Sequence, residues 1–112
     1  MTAAEFRRMA LALPATEERS HMNHPDFRVR SKIFATLGYP TDAWAMVKLK
    51  PADQARFYEA QPDVFVPFNG AWGRQGATRV MLKAAKKADV RRALALAWRN
   101  VAPRHLAKDC QD

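Results

Sequence analysis

The hydrophobic positions of this chain repeat with two different periods, and the switches between them mark its elements. Phe6, Met9, Ala10 and Leu13 recur at i, i+3, i+4 and i+7. That spacing predicts a helix over about residues 2–13 with one apolar stripe. Thr2 and Glu5 have capping-box spacing, and Pro14 ends the run. The period then falls to two. Residues 26–30 (DFRVR) put Phe27 and Val29 on one face and Arg28 and Arg30 on the other, and residues 33–37 (IFATL) follow after Ser31 and Lys32. A two-residue separation suits a tight hairpin, although this one lacks glycine. Residues 44–49 (WAMVKL) alternate again, and residues 16–22 supply a candidate edge strand.

The second half returns to helical spacing twice. Pro51 stands where a first helical residue tolerates a missing N–H, and a helix over about 51–60 ends before Pro62. Short strands at 64–66 and 77–82 flank the stretch NGAWGRQG, which reads as a glycine-rich loop. Asp89 is placed to cap a last helix whose stripe is Val90, Leu94, Ala97, Trp98 and Val101. Pro103 closes it, and residues 104–108 have room for one more turn. Helices bracketing a run of mostly adjacent strands predict an α+β two-layer sandwich, an antiparallel sheet flanked by N- and C-terminal helices. Residues 1–112 read as one domain, with 109–112 expected to fray.

Charge changes this picture more than composition does. The chain carries 19 Lys and Arg against 11 Asp and Glu, a net charge of +8. The balance is +1 over residues 1–73 and +9 over residues 74–108, where only Asp89 opposes ten cations. A one-sign field over a third of a small domain attracts polyanions, nucleic acid among them. No apolar run approaches the ~20 residues of a membrane span. Glu5, Arg7 and Arg8 stand where a secretory signal would carry its apolar stretch. The single cysteine, Cys110, excludes an internal disulfide and suits a reducing compartment. The expected location is the cytoplasm, and the expected state is a monomer.

Catalytic and metal patterns are weak. His21 and His24 have the spacing of half a metal site, with Asp26 a candidate third ligand, but an interval of three on one strand points the two imidazoles to opposite faces. Glu17 and Glu18 are adjacent, so a regular strand aims them apart. Gly70, Gly73 and Gly76 space as GxxGxxG, which is neither a phosphate-binding P-loop nor a dinucleotide fingerprint. Such a loop either meets a backbone need for positive φ or presents Trp72, Arg74 and Gln75 to a ligand.

Read together, several segments are familiar. His24-Pro25-Asp26-Phe27-Arg28-Val29 with Lys32-Ile33-Phe34-Ala35-Thr36-Leu37, Val47-Lys48-Leu49 before Pro51, Gly70-Ala71-Trp72-Gly73-Arg74-Gln75-Gly76 with Thr78, and Ala97-Trp98 with Ala102-Pro103 resemble the MmcQ/YjbR family, from Phe6 to Leu106. Arg30-Ser31, where that pattern often has glycine, and Ala77, where it often has tryptophan, depart from it. The resemblance implies a CyaY-like α+β domain with no catalytic residue set and no cofactor. It also implies DNA binding through a double wing of strands and loops. On that expectation the protein is non-enzymatic and binds nucleic acid, duplex DNA first. Arg74 and Arg79 contact phosphates from the glycine loop and its strand, and Arg28, Arg30 and Lys32 do so from the first hairpin. Trp72 offers a stacking surface, and Lys83, Lys86 and Lys87 add longer-range attraction. The competing expectation is a small-molecule or protein-binding module with a pocket beside Gly70–Gly76. A frataxin-like metal carrier would need an acidic ridge, for which the first helix offers only Glu5.

Overall fold

A computed structural model describes residues 1–107, and among these the chain forms five α-helices, one short 3-10 turn (Leu82–Ala84) and six strands. In order they are α1 (Ala3–Leu11), β1 (Thr16–His21), β2 (His24–Val29), β3 (Lys32–Leu37), β4 (Trp44–Lys48), α2 (Pro51–Ala60), β5 (Phe65–Pro67), α3 (Gly70–Arg74), β6 (Ala77–Met81), α4 (Lys87–Val101) and α5 (Arg104–Ala107). The expected α+β sandwich is borne out. Every paired strand is antiparallel, in the order β1-β2-β3-β4-β6-β5. Cys110 and the tail 109–112 lie outside the described residues.

Local chemistry starts and stops these elements much as the pattern predicts. The Thr2 hydroxyl accepts from the Glu5 N–H and the Glu5 carboxylate accepts from the Thr2 N–H, a complete capping box for α1. Pro51 occupies the first turn of α2. α4 begins earlier than expected. Lys86 is its N-cap residue, and Asp89 lies inside the first turn, where its carboxylate accepts from Gln61 Nε2 at 2.8 Å and ties α4 to the end of α2. A carboxylate in that first turn also favours the helix dipole.

The register separates the two faces of the sheet. Phe27, Val29, Ala35, Leu37, Ala45, Val47, Phe65 and Val80 are buried together with Phe6 and Ala10 of α1 and Val90, Leu94, Ala97 and Trp98 of α4. Phe57 of α2 packs on Phe65, ring centroids 4.7 Å apart. Trp98, fully buried, donates its indole N–H to the Pro14 carbonyl at 2.9 Å, which pins α4 to the α1–β1 link. α1, α2 and α4 therefore cover one face. The other face presents His21, His24, Asp26, Arg28, Thr36, Met46, Lys48 and Arg79, their cross-strand partners confirming the alternation.

Three further expectations needed correction. The hairpin joining β2 to β3 turns on Arg30-Ser31, one residue earlier than read, with φ of 51° and 69°. Met22-Asn23 joins β1 to β2 in the same way, with φ of 50° and 67°. Both pairs adopt the left-handed backbone of a type I′ turn without using glycine, because the strands' right-handed twist demands it. His21 and His24 are direct cross-strand partners, so they share a face instead of opposing each other. The chain reverses between them, which the single-strand argument ignored. The glycine-rich stretch is not an open loop. Residues Gly70–Arg74 make a helical turn.

Gly76 closes that turn at φ 111°, and a Cβ there would stand 1.7 Å from the Leu49 carbonyl oxygen. The Gly76→Ala variant is expected to lose at least about 2 kcal/mol of stability, from backbone strain plus the clash with β4's exit. Urea denaturation followed by tryptophan fluorescence measures it, and an unchanged midpoint would mean that the chain relaxes around the methyl.

Candidate functional site

The face opposite α1, α2 and α4, free of helices except for the short α3 that carries Trp72, holds an aromatic shelf and a polar cluster. The shelf is built from segments far apart in sequence. Tyr39, in the β3–β4 connection, stacks on Phe68 at 5.8 Å and 17°. Trp72, from α3, lies 4.4 Å from Phe68 and 6.2 Å from Tyr39, centroid to centroid. His24 meets the Tyr39 ring edge-on at 5.5 Å. Trp72 is 39% exposed and Tyr39 42%, so the shelf remains open to solvent.

Trp72 is held in place from below. Gln54 of α2 is buried, and its amide N–H groups reach the carbonyls of Gly73 (2.9 Å) and Ala77 (3.1 Å) and the Thr78 hydroxyl (3.2 Å). A Cβ on Gly73 would fall 1.6 Å from the Phe68 carbonyl oxygen. Glycine is therefore what lets α3 lie against the chain that bears Phe68.

Alongside the shelf runs a groove of about 470 Å³, lined by His21, His24, Ile33, Thr36, Tyr39, Met46, Lys48 and Trp72, with Met22 at its edge. Its volume lies within the ~300–1,000 Å³ common for small-ligand sites. Its walls are mainly apolar and aromatic, and its polar side chains include two imidazoles, the Thr36 hydroxyl and the Lys48 ammonium, besides the polar tips of Tyr39 and Trp72.

The polar cluster centres on Asp26, which is fully buried. Arg28 grips its carboxylate with two bonds, Nε to Oδ1 at 2.7 Å and Nη2 to Oδ2 at 3.0 Å, and His21 Nδ1 lies 2.7 Å from Oδ2. The bond from Arg28 is the main reason the Asp26 carboxyl is held below the usual carboxylate range, against the opposing effect of burial, and His21 adds to it. The same bond raises Arg28 above its ordinary value. Among the described residues no group of three or more His, Cys, Asp or Glu side chains is arranged to hold a metal ion.

The structure does not gather the sequence-predicted cations into one surface. Arg28 is committed to Asp26. Arg79 lies over the Trp44 ring at 5.6 Å and the Phe68 ring at 5.4 Å, and donates to the Val66 and Pro67 carbonyls at 3.5 and 2.8 Å. It braces the shelf from behind. Arg30 and Lys32 are exposed at the β2–β3 tip, while Lys83, Lys86 and Lys87 follow the far end of β6. The length of β3, roughly 17 Å at ~3.3 Å per residue, separates the two groups. Lys87 is bonded to Glu5, whose carboxyl is lowered to about 2, first by that lysine and then by the Thr2 N–H. Arg74 is exposed on α3 beside Trp72. The β1–β2 tip, Met22-Asn23, is uncharged and lies at the opposite end of β2 from Arg30-Ser31. Trp72 and Arg74 thus share the short helix α3 without facing one another, and the other expected contacts scatter. Tyr39, Phe68, Thr36 and Lys48 were not singled out by the sequence. The only hint was that Gly38-Tyr39-Pro40 and Phe68-Asn69-Gly70 both place an aromatic at a turn.

A family model described as YjbR matches residues 11–100. The chain belongs to the YjbR family. Among solved structures, this YjbR-family chain is similar to a Deinococcus radiodurans protein with a DUF419 domain. The TM-score is 0.77 at 17% identity, over 96% of this chain and 86% of that one, a likeness that shows a shared fold. No curated protein matches the sequence. No helix among the described residues is long and apolar enough to cross a membrane.

The Asp26 cluster sets an acid limit. A depressed folded value means that the stability from Asp26 is fully present above its unfolded value near ~3.9 and is lost as pH falls through the folded one. Asp26→Asn is expected to cost about 1.5–3 kcal/mol at neutral pH, the range for hydrogen bonds to charged groups. The gap from wild type should narrow below about pH 4. Urea midpoints for both proteins across that range test this, and a gap independent of pH would assign the loss to packing instead.

Proposed function

We propose that this YjbR-family domain is a non-enzymatic, cytoplasmic nucleic-acid-binding protein that takes an unpaired strand on its helix-free sheet face. The observation that carries the reading is the Tyr39–Phe68–Trp72 shelf, open to solvent, with Arg74 exposed on the same short helix as Trp72. Every base has a π-face, so exposed aromatics on a sheet bind single strands with little sequence preference. The net charge of +8 supplies attraction to the backbone. A duplex hides its base faces and would leave the shelf unused. A double-wing grip on duplex DNA would also need cationic tips side by side, whereas here the two tips lie at opposite ends of β2. A second reading, binding of a free small molecule on the same face, is supported by the 470 Å³ groove beside the shelf.

Fluorescence anisotropy with labelled single-stranded and duplex DNA across a salt series decides between these. Single-strand binding should weaken with a log–log slope of about −3.5 to −5, corresponding to roughly five to seven phosphates. Trp72→Ala should cost about 1–3 kcal/mol of single-strand binding, and Arg74→Ala should flatten the slope by about 0.7. Tighter binding to duplex, indifferent to Trp72→Ala, would return the site to the hairpin tips. No binding at low salt would leave the charge as a solubility feature.

A further inference from the structure

One group on the helix-free face is unexplained by the fold. Thr36 lines the groove, is 4% exposed, and its Oγ1 has no hydrogen-bond partner, the single such buried side-chain atom found among the described residues. A buried hydroxyl without a partner is destabilising, and a valine of the same shape would suit a central strand as well. Folding alone therefore gives no reason for a hydroxyl at this position. A bound molecule supplies one.

The neighbours of Thr36 define what that molecule is. Trp72 and Tyr39 offer flat walls, and Ile33 and Met46 an apolar floor. His24 brings an imidazole that meets a donor and an acceptor, as the Thr36 hydroxyl does, and His21, its Nδ1 held by Asp26, brings its Nε2. Lys48, half-buried and in no ion pair among the described residues, stands in the same lining with an ammonium. An inorganic anion is too small to fill the groove and makes no use of the rings. A wholly apolar ligand would leave the Thr36 hydroxyl and the His24 imidazole without a hydrogen-bond partner. A planar nitrogen heterocycle carrying a phosphate satisfies all of them.

We propose that the groove along β3 is a subsite for one nucleobase and its phosphate, with the ring against Trp72 and Tyr39, a polar ring edge at the Thr36 hydroxyl, which the side chain turns toward the groove on binding, and the phosphate beside Lys48. Where the base belongs to a strand, this deepens the single-strand reading. A free mononucleotide presents the same chemistry.

The test titrates the full chain with 5′-deoxynucleoside monophosphates, with deoxyribose 5-phosphate as a control lacking the base, and with a short single strand. Tryptophan fluorescence and melting temperature are the readouts. Saturable quenching by a mononucleotide and none by the sugar phosphate is expected. Thr36→Val should melt no lower than wild type yet bind the mononucleotide about three- to tenfold more weakly, the loss of one hydrogen bond. Thr36→Ser, which keeps the hydroxyl, should bind like wild type. Lys48→Ala should weaken the monophosphate more than the nucleoside. If the strand binds but mononucleotides do not, and Thr36→Val binds the strand unchanged, the subsite is overturned while the single-strand reading survives. If a mononucleotide binds in a Thr36-dependent way and the strand does not, the subsite stands with a free nucleotide as its occupant. If neither binds, both are overturned.

Discussion

The layer arrangement governs everything else in this molecule, because a six-stranded sheet has two faces and α1, α2 and α4 all pack on the same one. The connections leave little alternative. β1 through β4 run as consecutive antiparallel neighbours, and the short turns between β1, β2 and β3 leave no chain to cross the sheet. The apolar residues that alternate inward, from Phe27 to Val80, find their partners on the helical side. The residues that alternate outward must be stable without a second layer. Their solution is partly polar, in the Asp26–Arg28–His21 cluster, and partly aromatic, in the shelf. The same constraint that denies this face a covering helix layer leaves it available to a ligand.

The shelf is anchored to the rigid side of the protein through very few atoms. Gln54 lies on α2, yet its amide holds the carbonyls of Gly73 and Ala77 on either side of the α3–β6 turn. Gly73 and Gly76 allow that turn to press against Phe68 and Leu49. Arg79 then fills the space behind Phe68, its guanidinium between that ring and Trp44. Trp72 is consequently an exposed aromatic whose backbone is fixed by buried hydrogen bonds. A preorganised stacking surface loses less entropy on binding than a loop that must first be ordered.

Periodicity made most of the fold legible in the sequence. The apolar stripes of α1 and α4 and the alternation in β2, β3, β4 and β6 needed only the local pattern, and the motif combination was enough to point to the family. What stayed hidden was set by register. Arg28 and Arg79 read as surface cations because a sequence shows alternation but not what stands across the strand. In the fold one meets Asp26 and the other two aromatic rings. The His21–His24 pair was misread because the turn between them, Met22-Asn23, lacks the glycine that usually announces a type I′ hairpin. Thr36 looked like an ordinary strand threonine. Its importance comes from being unpaired beside a groove whose other walls lie up to 36 positions away, at Trp72.

The same geometry assigns two jobs to the positive charge. The excess in residues 74–108 is dispersed over α3, the far end of β6 and the exposed side of α4, and part of it is spent on Glu5 and Asp89. Dispersed cations act over a Debye length of about 8–10 Å, so they concentrate a polyanion near the protein without fixing its orientation. Among these cations, Lys48 lines the groove together with Trp72, and Arg74 is exposed on the short helix that carries Trp72, each without a partner among the described residues. Attraction is therefore a property of the whole surface, and it fades with salt. Placement belongs to the shelf, whose stacking depends far less on ionic strength. On this division the cations govern how often a strand arrives, and Trp72, Tyr39 and the groove beside them govern how long it stays.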